Sequence, residues 1–197
     1  MLLPAICAAT LILIAAVQPW ITLTQAFRDV QAVVYKIENR DLIPLAGFLS
    51  NFGIMAWVAT FAISGFSALM IRSKRQTVLL GSLSILTLVL ALDDFFIIHE
   101  RVGPKNLGIP EKLFFLTYGL SAIAIVIAFF KDIRDMAGDL LLIAFICFFT
   151  SVTVDAFYIL DGVPHRLLED GAKLVGIAYW CAFCSRLAWC SLEADRR

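Results

Sequence analysis

Apolar residues fall in long blocks along this chain, and short polar stretches separate them. The blocks cover roughly 3–25, 43–71, 77–99, 112–131, 139–162 and 166–190. Each is near or above the ~20 apolar residues that a helix needs to cross a bilayer. Backbone groups inside lipid find no water to bond, so each block is expected to be a helix. A membrane strand would instead show ~10 residues of alternating polarity. The pattern predicts an all-α polytopic membrane protein, a six-transmembrane-helix bundle forming one domain over residues 1–197.

Composition agrees. Of 197 residues, 61% are hydrophobic, which leaves too few polar residues to cover a soluble domain. The lipid bilayer is therefore the first expected partner. Net charge is zero, so a nucleic-acid partner is not expected. Residues 1–17 have no basic stretch before them and are read as part of the first span, not as a cleaved signal. The five cysteines are an odd number scattered through apolar helices, which is no disulfide framework. Cys181 and Cys184 read as small apolar filler.

Six spans put both termini on one face. Lys and Arg divide evenly between the faces, so the positive-inside rule has little to act on. The densest basic cluster, Arg72-Ser73-Lys74-Arg75, lies on the terminal face with Arg196 and Arg197. On that basis the termini are placed in the cytoplasm and the chain in a bacterial-type inner membrane or a plasma membrane. Most acidic residues and both histidines fall toward the other face, so any chemistry is expected there.

Helical rise locates these groups. At ~1.5 Å per residue, Asp93 and Asp94 lie about two turns inside the end of the third block. Asp155 lies as deep in the fifth, and Lys173 in the sixth. Asn51, Thr117 and Tyr118 fall near the same level. An ionised side chain facing lipid at this depth costs about 2.5–3.5 kcal/mol or more. The layer is therefore expected to face the bundle interior, with Lys173 compensating some of the carboxylates. A second layer nearer the interface holds His99, Glu100, Asp161, His165, Glu169 and Asp170. Two imidazoles among carboxylates form a ligand set suited to Zn, Fe or Mn. The predicted metal ligands are His99, Glu100, His165 and Glu169. Asp93, Asp155 and Lys173 are the predicted catalytic groups, and Asn51, Asp94, Tyr118, Asp161 and Asp170 complete the polar layer. Each group also has an ordinary explanation: buried ion pairs can set helix register, and acids in a first turn favour the helix dipole.

The segment LDDFFIIHE (92–100) echoes VDAFYILDG (154–162), aligning Asp93 with Asp155. The echo suggests a parallel repeat of helix pairs, 77–131 and 139–190, around an axis along the membrane normal. Ala172 and Gly176, at small-xxx-small spacing, suggest a close helix approach. The residue types resemble those of alkaline-ceramidase-like membrane hydrolases. Two histidines at this spacing do not fit the three-histidine pattern of those enzymes, so no family is assigned.

Three functions compete. The first is a membrane-embedded metal-dependent hydrolase of a lipid or lipid-linked substrate. Its divalent metal would be held near the non-cytoplasmic face, with Asp93 or Asp155 as base or as orienter of the ligands and Lys173 stabilising negative charge. The second is a small proton- or cation-coupled transporter using the intramembrane Asp and Lys groups, which at this size would act as a homo-oligomer. The third is electron transfer by haem b between His99 and His165.

Overall fold

The computed structural model describes residues 2–19, 22–27, 46–157 and 162–196. Nearly all of them are helical, and no strand occurs among the described residues. The elements are α1 (Leu3–Val17), α2 (Leu23–Phe27), α3 (Phe48–Met70), α4 (Lys74–Phe96), a π-helical segment (Ile98–Leu107), α5 (Glu111–Ala128), α6 (Phe130–Phe157) and α7 (Gly162–Arg196). The five helices α3 to α7 are long and apolar enough to cross a membrane, which is consistent with an integral membrane protein. α1 has 15 residues, fewer than the ~20 of a straight crossing.

Three boundaries differ from the hydrophobic blocks, each for a local reason. The first block breaks after Val17 because Pro19 drives the residue before it out of the helical region; Gln18 is extended, with φ −67° and ψ 144°. The chain restarts through a capping box. The Thr22 N–H donates to Gln25 Oε1 at 2.8 Å, and the Gln25 N–H donates to Thr22 Oγ1 at 3.3 Å. These are two of the donors that a helix start leaves unsatisfied. The third block ends at Phe96, short of His99. The polar stretch 131–139 is helical and belongs to α6, with one non-helical residue at Ala137 (φ −155°, ψ 23°).

The chain packs as two compact units. One comprises Met1–Met55 and Leu140–Trp180, and the other Ala56–Asp139 and Cys181–Arg197. In the first, Ala8, Ala15, Ala26, Phe27, Leu49 and Leu174 form a buried apolar cluster. The Gly47 N–H donates to the Gln25 carbonyl at 2.8 Å and so ties the end of α2 to the start of α3. α6 and α7 approach closely at Gly176, where an added Cβ would lie 2.8 Å from the Phe148 ring and 3.3 Å from the Cys147 Cβ. That is the close approach expected at this glycine.

In the second unit, Leu79, Leu80, Leu83, Phe183 and Leu187 are almost wholly buried. Three of the hydroxyls among them bond to main chain: Thr87 to the Leu83 carbonyl at 2.7 Å, Thr60 to Ala56 at 2.7 Å and Ser84 to Phe61 at 3.0 Å. Ion pairs then join its polar ends. Arg75 reaches Asp132 at 2.8 Å and lies over the Phe129 ring at 5.2 Å, Arg186 reaches Asp139 at 3.1 Å, and the Arg72 N–H donates to Asp195 at 3.2 Å.

Gly176→Leu should overpack the α6–α7 contact and cost about 1–3 kcal/mol. Thermal unfolding of the purified protein in detergent would show this as a lowered Tm.

Candidate functional site

Asp93 and Asp94 occupy the last turn of α4, and the chain leaves that turn abruptly. Ile97 takes a left-handed conformation, with φ 53° and ψ 47°. That conformation is rare for a β-branched residue and costs about 1–2 kcal/mol. The Ile97 side chain is buried, and its N–H donates to the Asp93 carbonyl. The next stretch winds as a π-helix, in which the Val102 N–H donates to the Ile97 carbonyl at 3.3 Å. Turns of this kind gather at functional sites. Gly103 lies against the Phe114 ring, where a Cβ would overlap the aromatic carbons. Gly108 closes the segment at φ 67°, a conformation that glycine adopts without penalty. Pro110 then opens α5, with Glu111 in its first turn.

This reversal folds His99 back onto Asp93. The main-chain N–H of His99 donates to Asp93 Oδ1 at 2.9 Å, and its ring Nδ1 lies 2.5 Å from Asp93 Oδ2. Both side chains are buried, 7% and 4% exposed. An ionised carboxylate only accepts, so the ring proton belongs on Nδ1 and the lone pair on Nε2. Beyond Nε2 stand two carboxylates, Glu100 Oε1 at 3.7 Å and Glu111 Oε1 at 3.9 Å. The Phe115 ring lies 5.1 Å from the imidazole. The Tyr118 hydroxyl lies close to Asp93 and Asp94. Asp94 points to another side of α4 and accepts from Trp57 Nε1 at 2.8 Å. The two adjacent acids therefore both face protein, about 100° apart around the helix axis.

Asp93, Asp94 and His99 form a group that could hold a metal ion, with one ligand atom from each within 4.8 Å of the others. Hydrogen bonding divides their roles. Asp93 is committed to Nδ1 and Asp94 to an indole, so the imidazole is left to coordinate through Nε2, on the side of Glu100 and Glu111. A carboxylate behind a ligating histidine is the usual support of such a site.

The other expected residues fall elsewhere. In the unit that contains α1, His165 Nε2 lies 3.2 Å from Glu169 Oε2. Asp155, Arg166 and Lys173 complete the charged surroundings of Glu169. Asp170 is half-buried on the same helix. Asn51 is exposed, because Leu49 and Gly53 take the buried face of α3 and a residue between them points ~200° around the helix. Asp161 lies outside the described residues.

Three partners of the site were not expected from the sequence: Glu111, Trp57 and Phe115. Turn signals at Pro104, Gly108 and Pro110 hinted that residues 98–110 fold back and deliver Glu111 to His99. A lone indole deep in a span also needs an acceptor, which is Trp57's relation to Asp94.

The chain belongs to the family described as a domain of unknown function (DUF8692), which matches residues 2–187. No curated protein and no solved structure matches it.

Asp93→Ala removes the acceptor of two buried donors, each worth about 1–3 kcal/mol when orphaned. It should therefore lower thermal stability more than Trp57→Phe, which removes one N–H from a half-buried carboxylate. Tm values of the two variants in detergent, compared with the native chain, would check the order.

Proposed function

We propose that this is a membrane-embedded, metal-dependent hydrolase acting on a lipid or lipid-linked substrate, with its site at the α4–α5 reversal. One observation carries the reading: Asp93 grips His99 through both the main-chain N–H and Nδ1, and Nε2 faces Glu100 and Glu111. His99 Nε2 together with the Glu100 carboxylate and water suits Zn, Fe or Mn. Bound there, the ion would supply Lewis-acid activation of water and of a substrate carbonyl or phosphoryl oxygen. Asp93 is a positioning residue, acting through His99. Glu111 is half-buried at the start of α5 and is the group placed to accept a proton from water. In this reading α1 supplies a sixth crossing together with the residues after it, and the termini face the cytoplasm.

A second reading is proton- or cation-coupled transport. It is favoured by the separate cluster of Asp155, His165, Glu169 and Lys173 on α6 and α7, since intramembrane ionisable groups commonly mark ion paths. Flux in proteoliposomes that Asp155→Asn abolishes would favour it over hydrolysis.

Protein purified without chelators should carry a divalent metal, and His99→Ala should remove it. Asp93→Asn should weaken metal affinity by about 10–100-fold. Glu111→Gln should lower hydrolysis of added lipid by about 100-fold or more while keeping most of the metal. Elemental analysis and a lipid-release assay read the two effects separately. Metal-free native protein would defeat the proposal.

A further inference from the structure

A groove of about 550 Å³ runs between the second half of α3 and the first half of α4. Its walls include Phe61, Gly65, Leu69, Thr77, Gly81 and Ile85. Gly65 lets the two helices approach, since a Cβ there would come 2.8 Å from Ser84 Oγ. The polar atoms of the walls are spent internally. Ser84 donates to the Phe61 carbonyl at 3.0 Å, and Thr77 to the carbonyls of Ile71 at 3.2 Å and Ser73 at 3.1 Å. The surface offered is therefore hydrocarbon. At Gly81 an added Cβ meets nothing within 4 Å, so the groove is open there.

Thr77 ties one end of the groove to the connection between α3 and α4, which carries Arg72, Lys74 and Arg75. All three are exposed. Arg75 is engaged with Asp132. Among the described residues, neither the Arg72 guanidinium nor the Lys74 ammonium has an ion partner. The Asp195 carboxylate takes the Arg72 main-chain N–H and leaves the guanidinium to solvent, so an apolar groove of ligand size that ends at two exposed cations has the polarity of one molecule: an acyl chain carrying an anionic head. Basic residues at the membrane surface contribute measurably to binding such heads.

We propose that this groove binds an anionic phospholipid, with an acyl chain between α3 and α4 and its phosphate on Arg72 and Lys74. The site is separate from the His99 site and does not depend on the hydrolase reading.

The test titrates full-length protein in detergent with phosphatidylglycerol or phosphatidylcholine and counts bound lipid by native mass spectrometry. Phosphatidylglycerol should bind about tenfold or more tightly than phosphatidylcholine. Gly81→Leu sends its side chain into the groove from a Cβ that meets nothing within 4 Å and should abolish binding at an unchanged Tm, and Gly81→Ala should give an intermediate loss. Arg72→Gln combined with Lys74→Gln should leave lipid binding but erase the preference for the anionic head. Equal binding of the two lipids by the native chain would overturn the proposal. So would a folded Gly81→Leu variant that still retains phosphatidylglycerol, or a dimer that Gly81→Leu dissociates, since a second chain would then be the occupant.

Discussion

A buried carboxylate must be surrounded by donors, and the end of α4 is built around that requirement. Asp93 lies in an apolar interior where an uncompensated charge is prohibitive. Its two oxygens take the His99 main-chain N–H and the His99 ring, with the Tyr118 hydroxyl close by. To deliver those donors, the chain leaves the α-helix at Ile97 in a conformation unfavourable to isoleucine and continues as a π-helix. The strain is local, and its counterpart is a fully bonded acid and an imidazole held in one orientation. Backbone strain that is retained in this way usually serves a site.

The same constraint separates the roles of neighbouring acids. Asp93 and Asp94 are adjacent in sequence, yet one orients a histidine and the other accepts from an indole. Neither is then well placed as a base. In the proposed hydrolase that role passes to Glu111, at the start of the next helix, while Glu100 of the π-segment joins His99 as a ligand, and both remain partly exposed. In that reading the positioning groups are buried and the reacting group is accessible, the division expected of a preorganised site.

The two histidines belong to different packing units, each with its own acidic neighbours. His99 has Asp93, Glu100 and Glu111, and His165 has Glu169, with Asp155 and Lys173 in its surroundings. Lys173, expected to compensate some of the deep acids, lies near Glu169. Asp93 is instead satisfied by hydrogen bonds from the main chain and the ring of one residue, His99.

Much of this was legible in the chain. Long apolar blocks required helices, because lipid offers backbone groups no other partner. Asp93, Asp94, His99 and Glu100 stood out as ionisable groups where hydrocarbon was expected; ligand chemistry left Asp93 as either base or orienter, and its two bonds to His99 suit the second. The break at Gln18 is local, set by Pro19, whereas the break at Ile97, Glu111 beside His99 and the Trp57–Asp94 bond were decided by tertiary structure. Hydropathy reports how apolar a stretch is, and that sets whether it enters the membrane. It carries no term for which way a turn sends the next residue. Between Asp93 and Glu111 that direction comes from one left-handed residue, a π-helix and two glycines, and contacts among residues distant in sequence hold it there.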